Sequence, residues 1–528
     1  MRFVLFLCLA AASAKNAKPP DAKPYADLLT LFSEWRAFQR PPLKDGVPDY
    51  GPAAMEAQRR ALPGWQARLK ALDPSGMTVP QQVDLRLVQA EMSGLDFDHR
   101  VLRPWERNPA FYVTIYPDQS DQPAREGPFA YGGIDTWKYS FPLSADKAAE
   151  LNQRLSIIPP LLAQAKGNLT GDGHDLWLYG SRSLREQAES LEGLAAKAPE
   201  VAAAAGKARE ATLALAAWVE QQTPSKKGQS GIGIANYDWY LANVQLLPYT
   251  WADEVTLVTR ELTRARESLA LEEQKNRALP KQEVLETAEA YLKGHQAAIS
   301  EYMAFLRSAQ VRTLPGYLEP ALRSHIAAYS PKRPLEFFSE VDSRDPEVLL
   351  THGYHWFDLA RMEKEPHPSP IRRGALLYNL FNNRTEGFAT ANEELMMRMG
   401  MCDARPRSRE LVWILLAQRG ARALAELKMQ ANQLTLEEAA KFATSNTPRG
   451  WLRMGNGTVW FEQHLYLQQP AYGTSYVMGK LEIDKLIAAR KEQLGDAFTL
   501  QRFMDEFDAA GLIPVPLLRW ELAGQALP

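Results

Sequence analysis

The sequence predicts an all-α fold with few or no short strands, and three observations predict it. Apolar residues recur at spacings of three and four along most of the chain after residue 25, which is the period of a helix with one buried face. Proline and glycine fall mainly between these segments, where helices end. Only residues 111–116 form a run rich in strand-forming residues, and a proline bounds that run on each side.

Length and composition are those of a globular protein. The chain has 528 residues, which is enough for two or three average domains or one large one. Apolar residues make up 45% and charged residues 23%, both ordinary values. A formal net charge of -2 does not indicate binding to nucleic acid or to an anionic membrane surface, which favour an excess of positive charge. We therefore expect no nucleic-acid partner, and partners must be argued from local chemistry.

The first residues predict a secretory signal peptide. Arg2 precedes an apolar run at residues 3–12, and Ala12-Ser13-Ala14 fits a cleavage site between small residues. The run is too short to span a bilayer, and no later segment offers about 18 uninterrupted apolar residues. We assign residues 1–14 to the signal and expect an exported protein, periplasmic or secreted, without a membrane span. Cleavage would leave Cys402 alone, which excludes an intrachain disulfide.

The N-terminal half is predicted to be a helical lobe over residues 25–230. Its helices are expected to start near residue 25 and end at Pro41-Pro42, then to cover 55–72 with a break at Pro63-Gly64, 80–95, 144–167, and 184–222 with a break at Pro199. Residues 118–135, rich in Gly, Pro and Asp, predict a loop. The segment 226–233 is the best candidate boundary between the halves.

The C-terminal half, residues 231–528, is predicted to be a second helical lobe. Its helices are expected at 251–277, 282–309, 351–399 with a bend, and 408–433. Charged residues along 251–277 indicate a face turned to solvent. A further helix should start after Thr435, which can cap it with Glu438 three residues on.

The bent segment, residues 351–389, carries the candidate metal ligands. His352 and His355 are three apart, so on one helix both imidazoles share a face. Prolines at 366–370 predict the bend of a helical hairpin, which would bring Glu386 back to within about 8 Å of the histidines along the helix axis. Two imidazoles and a carboxylate are the ligand set of a catalytic zinc with one open position.

An alternative interpretation of these three residues needs no metal. His352 and His355 would be helix histidines, one packed and one solvated. Glu386 would be an acid near a helix N-terminus or a partner for Arg384. No glutamate follows His352, so the His-Glu-x-x-His motif of metalloproteases is absent.

Several motifs of the C-terminal half resemble a known family. They are Tyr237 with 241–254, Glu386-Gly387-Phe388-Ala389 with Glu393-Glu394-Leu395, the segment 422–439, Tyr466-x-x-x-Pro470 with Ser475-Tyr476-x-x-Gly479, residues 494–498 and residues 511–518. In this order they resemble the family called domain of unknown function 885, exported bacterial proteins that look like helical zinc peptidases. The resemblance covers about 236–518. It implies a zincin-like helical fold with a cleft, and a zinc site.

The departures from the family pattern fall on the expected site. Where the family has His-Glu-x-x-Pro-Gly-His, this chain keeps either both His352 and His355, with a short deletion, or only His355; both alignments lose the glutamate. Glu426 and Gln430 stand at the family's Asp and His. Three other family residues are also exchanged: Arg, Gln and His have become Leu465, Tyr472 and Met504. The scaffold residues persist while polar site residues differ.

The resemblance also implies roles for four further residues. Tyr476 would steady an oxyanion or a substrate carboxylate, unless it is a buried aromatic with a satisfied hydroxyl. Glu426 is, with Tyr476, a catalytic candidate. Glu426 and Gln430 are four residues apart, so they would line the same cleft. Gln430 and Tyr466 are the candidates for substrate binding.

The sequence is consistent with three functions. The first is a catalytically degraded member of the family that binds a small peptide-like ligand. Without the glutamate, the protein would lose general acid–base catalysis, which raises a rate by about 10²–10⁴-fold. The second is a divergent metal-dependent peptidase or hydrolase using His352, His355 and Glu386. In it, Asp358 could replace the lost base, although Asp358 is expected to be a solvent-facing helix acid. The third is a periplasmic structural scaffold.

Overall fold

Helices make up nearly all of the regular structure, as predicted. The computed structural model describes residues 22–526, so the predicted signal peptide lies outside the described residues. The helices of the N-terminal half are α1 (Ala22–Phe38), α2 (Pro52–Lys70), α3 (Val79–Phe97), α4 (Pro104–Arg107), α5 (Ala145–Ser156), α6 (Ile158–Asn168), α7 (His174–Lys197) and α8 (Ala202–Gln222). None of the described helices is long and apolar enough to cross a membrane.

The C-terminal half continues the same architecture. Its helices are α9 (Ile234–Tyr240), α10 (Trp251–Lys275), α11 (Ala288–Ser308), α12 (Leu318–Arg323), α13 (Phe337–Asp342), α14 (Pro346–His352), α15 (Tyr354–Lys364), α16 (Asn382–Arg398), α17 (Ser408–Gln430), α18 (Leu436–Asn446), α19 (Gly457–Gln468), α20 (Tyr472–Leu494), α21 (Leu500–Ala509) and α22 (Val515–Ala523). The predicted cap of α18 is present, since the Thr435 hydroxyl accepts from the Glu438 amide and the Glu438 carboxylate from the Thr435 amide.

Strands are confined to two short pairs among the described residues. β1 (Leu43–Lys44) pairs antiparallel with β2 (Val47–Pro48), and β3 (Ile115–Tyr116) pairs in parallel with β4 (Ile134–Asp135). The second pair closes the loop 118–135 at its base. The strand-like run at 111–116 therefore forms a strand only at its end, because Pro109–Tyr112 is a 3₁₀ turn.

α2 and α11 differ from the helices that the sequence predicts. α2 runs through Pro63 without a break. Pro63 is exposed, so the carbonyl that loses its intrahelical partner can be hydrated. α11 begins at Ala288 rather than near 282, because Thr287 is its N-cap and accepts a hydrogen bond from the Ala290 amide.

Buried apolar side chains form two clusters. The larger draws on α1 to α3 and on most helices after residue 230, and the smaller lies among residues 50–219. The first three helices thus share a core with the C-terminal half. The predicted lobe boundary near residue 230 stays a prediction.

Three helices at the centre position the candidate site. α16 and α17 are buried along nearly their whole length. α16 and α20 cross at Gly387 and Gly479, where a Cβ placed on Gly479 would lie 2.0 Å from the Asn383 carbonyl oxygen and one on Gly387 would lie 2.4 Å from the Gly479 Cα. This close approach of two backbones requires glycine, and it brings Glu386 on α16 beside the start of α20.

Candidate metal centre

His352, His355 and Glu386 meet at one point. Their potential ligand atoms all lie within 4.8 Å of one another. Glu386 Oε2 is 3.6 Å from His352 Nε2 and 3.3 Å from His355 Nε2. The two imidazole rings stand at 80° to each other with centroids 5.0 Å apart. Two nitrogen atoms therefore converge on one carboxylate oxygen, the arrangement expected of a three-ligand site.

The two histidines reach this point from two helices rather than one. His352 is the last residue of α14, His355 is the second residue of α15, and Gly353 separates the two helices. The expectation of a single helical face was wrong in this respect. The Gly353 backbone stays close to helical, with φ −59° and ψ 5°, so the two rings still lie on the same side.

Polar neighbours hold each of the three side chains. Glu386 Oε1 accepts hydrogen bonds from the Tyr472 hydroxyl at 2.6 Å and the Gln122 amide at 3.1 Å. Glu386 Oε2 is buried and has no hydrogen-bond partner. His352 Nδ1 accepts a hydrogen bond from the Arg419 guanidinium at 3.1 Å, and Glu393 Oε1 lies at the same distance from it. A proton on Nδ1 that is donated to Glu393 instead would leave the Nε2 lone pair facing Glu386 and free for a metal.

The surroundings set the charge of the three side chains. Burial would raise the pKa of Glu386, but His355, His352 and Tyr472 outweigh it and lower it to about 2. Burial, with the nearby Arg419, lowers the pKa of His352 well below its usual value. Burial also opposes the charge of His355, yet Asp121 and Glu386 raise its pKa to about 9. At neutral pH Glu386 and His352 are in the form that binds a metal, whereas His355 carries a proton that a metal would displace.

The loop 118–135 covers the cluster, which the sequence did not predict. Gln122 is buried and reaches His355 as well as Glu386, with its amide nitrogen 3.3 Å from His355 Nδ1. Glu126 accepts from the Ser120 hydroxyl at 3.1 Å and lies 3.4 Å from the Tyr472 hydroxyl. Burial and then the Asp121 carboxylate raise the pKa of Glu126 to about 7. No local pattern could have found the contacts of Gln122 and Glu126 with the cluster, since they join residues more than 200 positions apart.

A second layer of charges lies behind the histidines. Arg419 on α17 binds both oxygens of Glu393 at 2.7 Å. Arg422, one turn further along, pairs with Glu462 on α19. Glu393 is seven residues after Glu386 on α16, two helical turns along the same face, so this spacing was the sequence signal for it.

The two predicted tyrosines lie around the cluster. The Tyr476 ring is nearly parallel to that of His352, at 13° with centroids 6.4 Å apart, and the Arg422 guanidinium is 5.0 Å from the centre of the Tyr476 ring. Tyr466 stacks on Tyr472 at 5.7 Å. The Tyr466 hydroxyl is buried without a hydrogen-bond partner. Burial raises the pKa of both tyrosines well above the usual value, so both hydroxyls keep their protons.

Glu426 and Gln430 make their contacts with backbone. Glu426 accepts from the amides of Ala471, at 2.6 Å, and Thr474, at 2.9 Å. Gln430 donates to the carbonyls of Tyr466 and Leu467 and accepts from the Ile232 amide. These bonds fix the turn from α19 to α20, which carries Tyr466 and Tyr472.

Asp358 is not the solvent-facing acid that the sequence suggested. It is buried and binds Arg384 through both oxygens, at 2.9 and 3.1 Å. Asp508 completes this network, 3.7 Å from Arg384. A carboxylate engaged in two buried ion-pair contacts is a poor substitute for a catalytic base, so we discard that role for Asp358.

Comparisons with known proteins extend the resemblance seen in the sequence. The model of the family described as bacterial protein of unknown function (DUF885) matches residues 35–522, nearly the whole chain rather than its C-terminal half alone. A search of the curated proteins gives no match.

Two solved structures share the fold. A candidate lipoprotein of unknown function from Shewanella oneidensis is 16% identical with a TM-score of 0.66, over 94% of this chain and 98% of that one. A candidate lipoprotein from Colwellia psychrerythraea is 14% identical with a TM-score of 0.62, over 95% of this chain and 98% of that one. At these identities the likeness extends to the fold alone.

Proposed function

We propose a function from the premise that the chain belongs to the DUF885 family of bacterial proteins of unknown function. In this proposal the protein is a metal-dependent hydrolase of amide bonds in peptide-like molecules, and His352, His355 and Glu386 hold the zinc. The observation that carries this proposal is the convergence of three ligand atoms within 4.8 Å. The lipoprotein descriptions of the two similar structures and the predicted signal peptide support an exported protein, periplasmic or secreted.

The residues fit a zinc ion in their chemistry. Two imidazole nitrogens and one carboxylate oxygen are a donor set that zinc prefers, and three protein ligands leave a position open for substrate or water. Glu386 Oε2 faces the Nε2 atoms of both histidines, so a metal ion at this point would replace the proton of His355 as its partner. Tyr472 on Glu386, and Arg419 and Glu393 beside His352 Nδ1, are the outer-layer neighbours that orient the ligands.

In the family pattern, a glutamate that this chain lacks would transfer the proton. Glu126 takes that role in this protein. In such a site zinc lowers the pKa of water to about 7 and polarises a carbonyl group. Glu126 is a loop carboxyl group with a pKa of about 7, linked to Glu386 through the Tyr472 hydroxyl. A group with a pKa near the working pH can both accept and donate a proton.

Tyr476 supplies a hydrogen-bond donor for the charge that develops on a substrate oxygen. Its ring lies against His352, and its hydroxyl stays protonated near neutral pH. Arg422 adds a positive charge at the same place. Tyr466, whose buried hydroxyl has no partner, is the second donor aimed at a substrate. Glu426 and Gln430 act as positioning residues for the turn that carries Tyr466.

Zinc content and hydrolysis, measured on the same samples, test the proposal. The purified protein should hold about one zinc ion per chain by elemental analysis, and His355→Ala and Glu386→Gln should lose it, since each removes a ligand. Glu126→Gln should keep zinc and lose about 10²-fold or more of the rate at which a mixture of short peptides is cleaved, followed by mass spectrometry. His325→Ala, which removes a histidine stacked on Trp356, is the matched control for folding.

Two results would replace this function by one of its rivals. Zinc without cleavage of any peptide, together with a melting temperature raised by peptides, would indicate a ligand binder that has lost catalysis. Absence of zinc from the parent protein, even after incubation with the metal, would contradict the proposal and favour the scaffold.

A further inference from the structure

A large cavity lies beside the metal cluster and has no role in the proposed hydrolysis. Its volume is about 690 Å³, and it opens between α3, the loop 118–135 and the segment before α16. His352, His355 and Glu386 do not line it, and Gln122 belongs to both places. Aromatic rings make up much of its wall, among them Tyr50, Trp105, Phe111, Tyr116, Tyr240 and Tyr378.

One carboxylate in this wall has no partner. Asp98 lines the cavity, and no hydrogen bond or charge of a described residue acts on its carboxyl group. Burial alone raises its pKa to about 8, and no cation offsets the effect. A lone carboxyl group beside apolar rings is unfavourable to the folded protein, which makes it a candidate for ligand recognition.

Most cations around the cavity already have partners. Arg36 pairs with Glu91, and both Arg125 and Lys138 pair with Asp135. Arg40 is exposed and its guanidinium lies 5.4 Å from the centre of the Tyr131 ring. None of these side chains contacts Asp98, so its carboxyl group has no cation beside it.

Irregular backbone converges on the same cavity. Asp98 opens a π-helical turn, Asp98–Leu102, and Tyr240 directly precedes a second one, Leu241–Gln245. Tyr378 and Asn379 have φ of 55° and 49°, a left-handed conformation that side chains rarely adopt. Such features cost free energy, and they gather where a protein binds something.

We propose that this cavity binds a ligand that carries a primary ammonium group on an apolar body. The ammonium would pair with Asp98, and the surrounding aromatic faces would attract the same positive charge through cation–π contacts. The apolar body would fill the space between the rings. An ammonium group beside Asp98 would hold its carboxyl group in the ionised form, which a neutral or an anionic ligand would not do.

Calorimetric titration near neutral pH with 4-phenylbutylamine and its neutral counterpart 4-phenylbutan-1-ol tests the proposal. The amine should bind the parent protein roughly tenfold or more tightly than it binds Asp98→Asn, since a charge-assisted hydrogen bond is lost. The alcohol should bind both proteins equally. Asp96→Asn removes an acid of the same helix that pairs with Arg100, and it should bind the amine like the parent.

The Asp98→Asn variant is expected to fold, because Asn has the shape of Asp and the carboxyl group has no hydrogen bond to lose. Equal affinity of the amine for the parent and Asp98→Asn would overturn the proposal, and so would a folded parent protein that binds no amine at millimolar concentration. Zinc content of the same samples reports on the proposed hydrolase, so the two proposals can fail separately.

Discussion

At the scale of single residues, the metal ligands depend on partners that no ligand motif contains. Glu393 Oε1 lies 3.1 Å from His352 Nδ1, and Arg419 holds Glu393 in place through both of its oxygens. Burial raises the pKa of Glu393 to about 7, although Arg419 works in the other direction. Arg419 also donates to His352 Nδ1, at 3.1 Å, so Glu393 and Arg419 compete for this nitrogen. A proton on Nδ1 that Glu393 accepts leaves the Nε2 lone pair for a metal, whereas the bond from Arg419 puts the proton on Nε2.

Glu393→Gln tests this dependence. Zinc affinity, measured by competition with a chelator, should fall by about 10- to 100-fold, the usual effect of losing a partner of a ligating histidine. Glu394→Gln is the matched control, because Glu394 is the next residue on α16 but binds Arg264 and Lys480 instead. Unchanged affinity in Glu393→Gln, or an equal loss in both variants, would contradict this role of Glu393.

The sequence could predict the ligands but not their setting. His352, His355 and Glu386 lie within 34 positions of one another, and local spacing was enough to group them. Gln122 and Glu126 reach the cluster from the distant loop, and only the folded chain brings them there. The sequence could not predict that Asp358 is buried, because its partner Arg384 lies across the hairpin bend.

At the scale of elements, the crossing of α16 and α20 holds the site together. The two helices touch through Gly387 and Gly479, and no side chain fits between them. Helix periodicity predicted that α16 exists but not that it would lie so close to α20, because glycine in a helix has several possible causes.

Gly479→Ala should destabilise the protein by about 1–3 kcal/mol or more, because its Cβ would lie 2.0 Å from the Asn383 carbonyl oxygen. Gly193→Ala, at an exposed helical position with nothing within 4 Å of the added Cβ, should instead stabilise it by about 0.5–1 kcal/mol. Urea unfolding measures both. If Gly479→Ala leaves the free energy of unfolding unchanged, the two helices can move apart and the crossing does not fix the position of Glu386.

The junction between α11 and α13 predicts a dependence of stability on pH. His295 Nε2 lies 2.9 Å from Asp342 Oδ2 at the end of α13. Burial would lower the pKa of His295, but the bond to Asp342 outweighs it and raises the pKa above its ordinary value of 6.5. A histidine with a raised pKa stabilises the fold fully below about pH 6.5 and loses this contribution as the pH rises through the folded-state pKa.

The free energy of unfolding of the parent protein and of His295→Gln, measured by urea at several pH values, tests this sign. The difference between the two should be largest near pH 6 and should shrink towards about pH 9. His174→Gln, whose ring contacts the Lys226 carbonyl instead of an acid, controls for loss of an imidazole. A difference that stays constant across this range would show that the proton on His295 contributes nothing.

At the scale of the whole molecule, the first helices and the C-terminal half share one apolar core, and the family match covers both. The all-α class followed from periodicity alone. That shared core could not be predicted, since it joins residues hundreds of positions apart. It places the loop 118–135 between the metal cluster and the aromatic cavity, so one segment contacts both proposed sites.

The proposed function depends most on whether a metal binds where the three side chains meet. Anomalous diffraction from crystals of the protein, recorded on both sides of the zinc absorption edge, measures this directly. We expect one peak about 2.0–2.2 Å from His352 Nε2, His355 Nε2 and Glu386 Oε2. Crystals grown with zinc that show no peak there, or that show the metal on other residues, would contradict it.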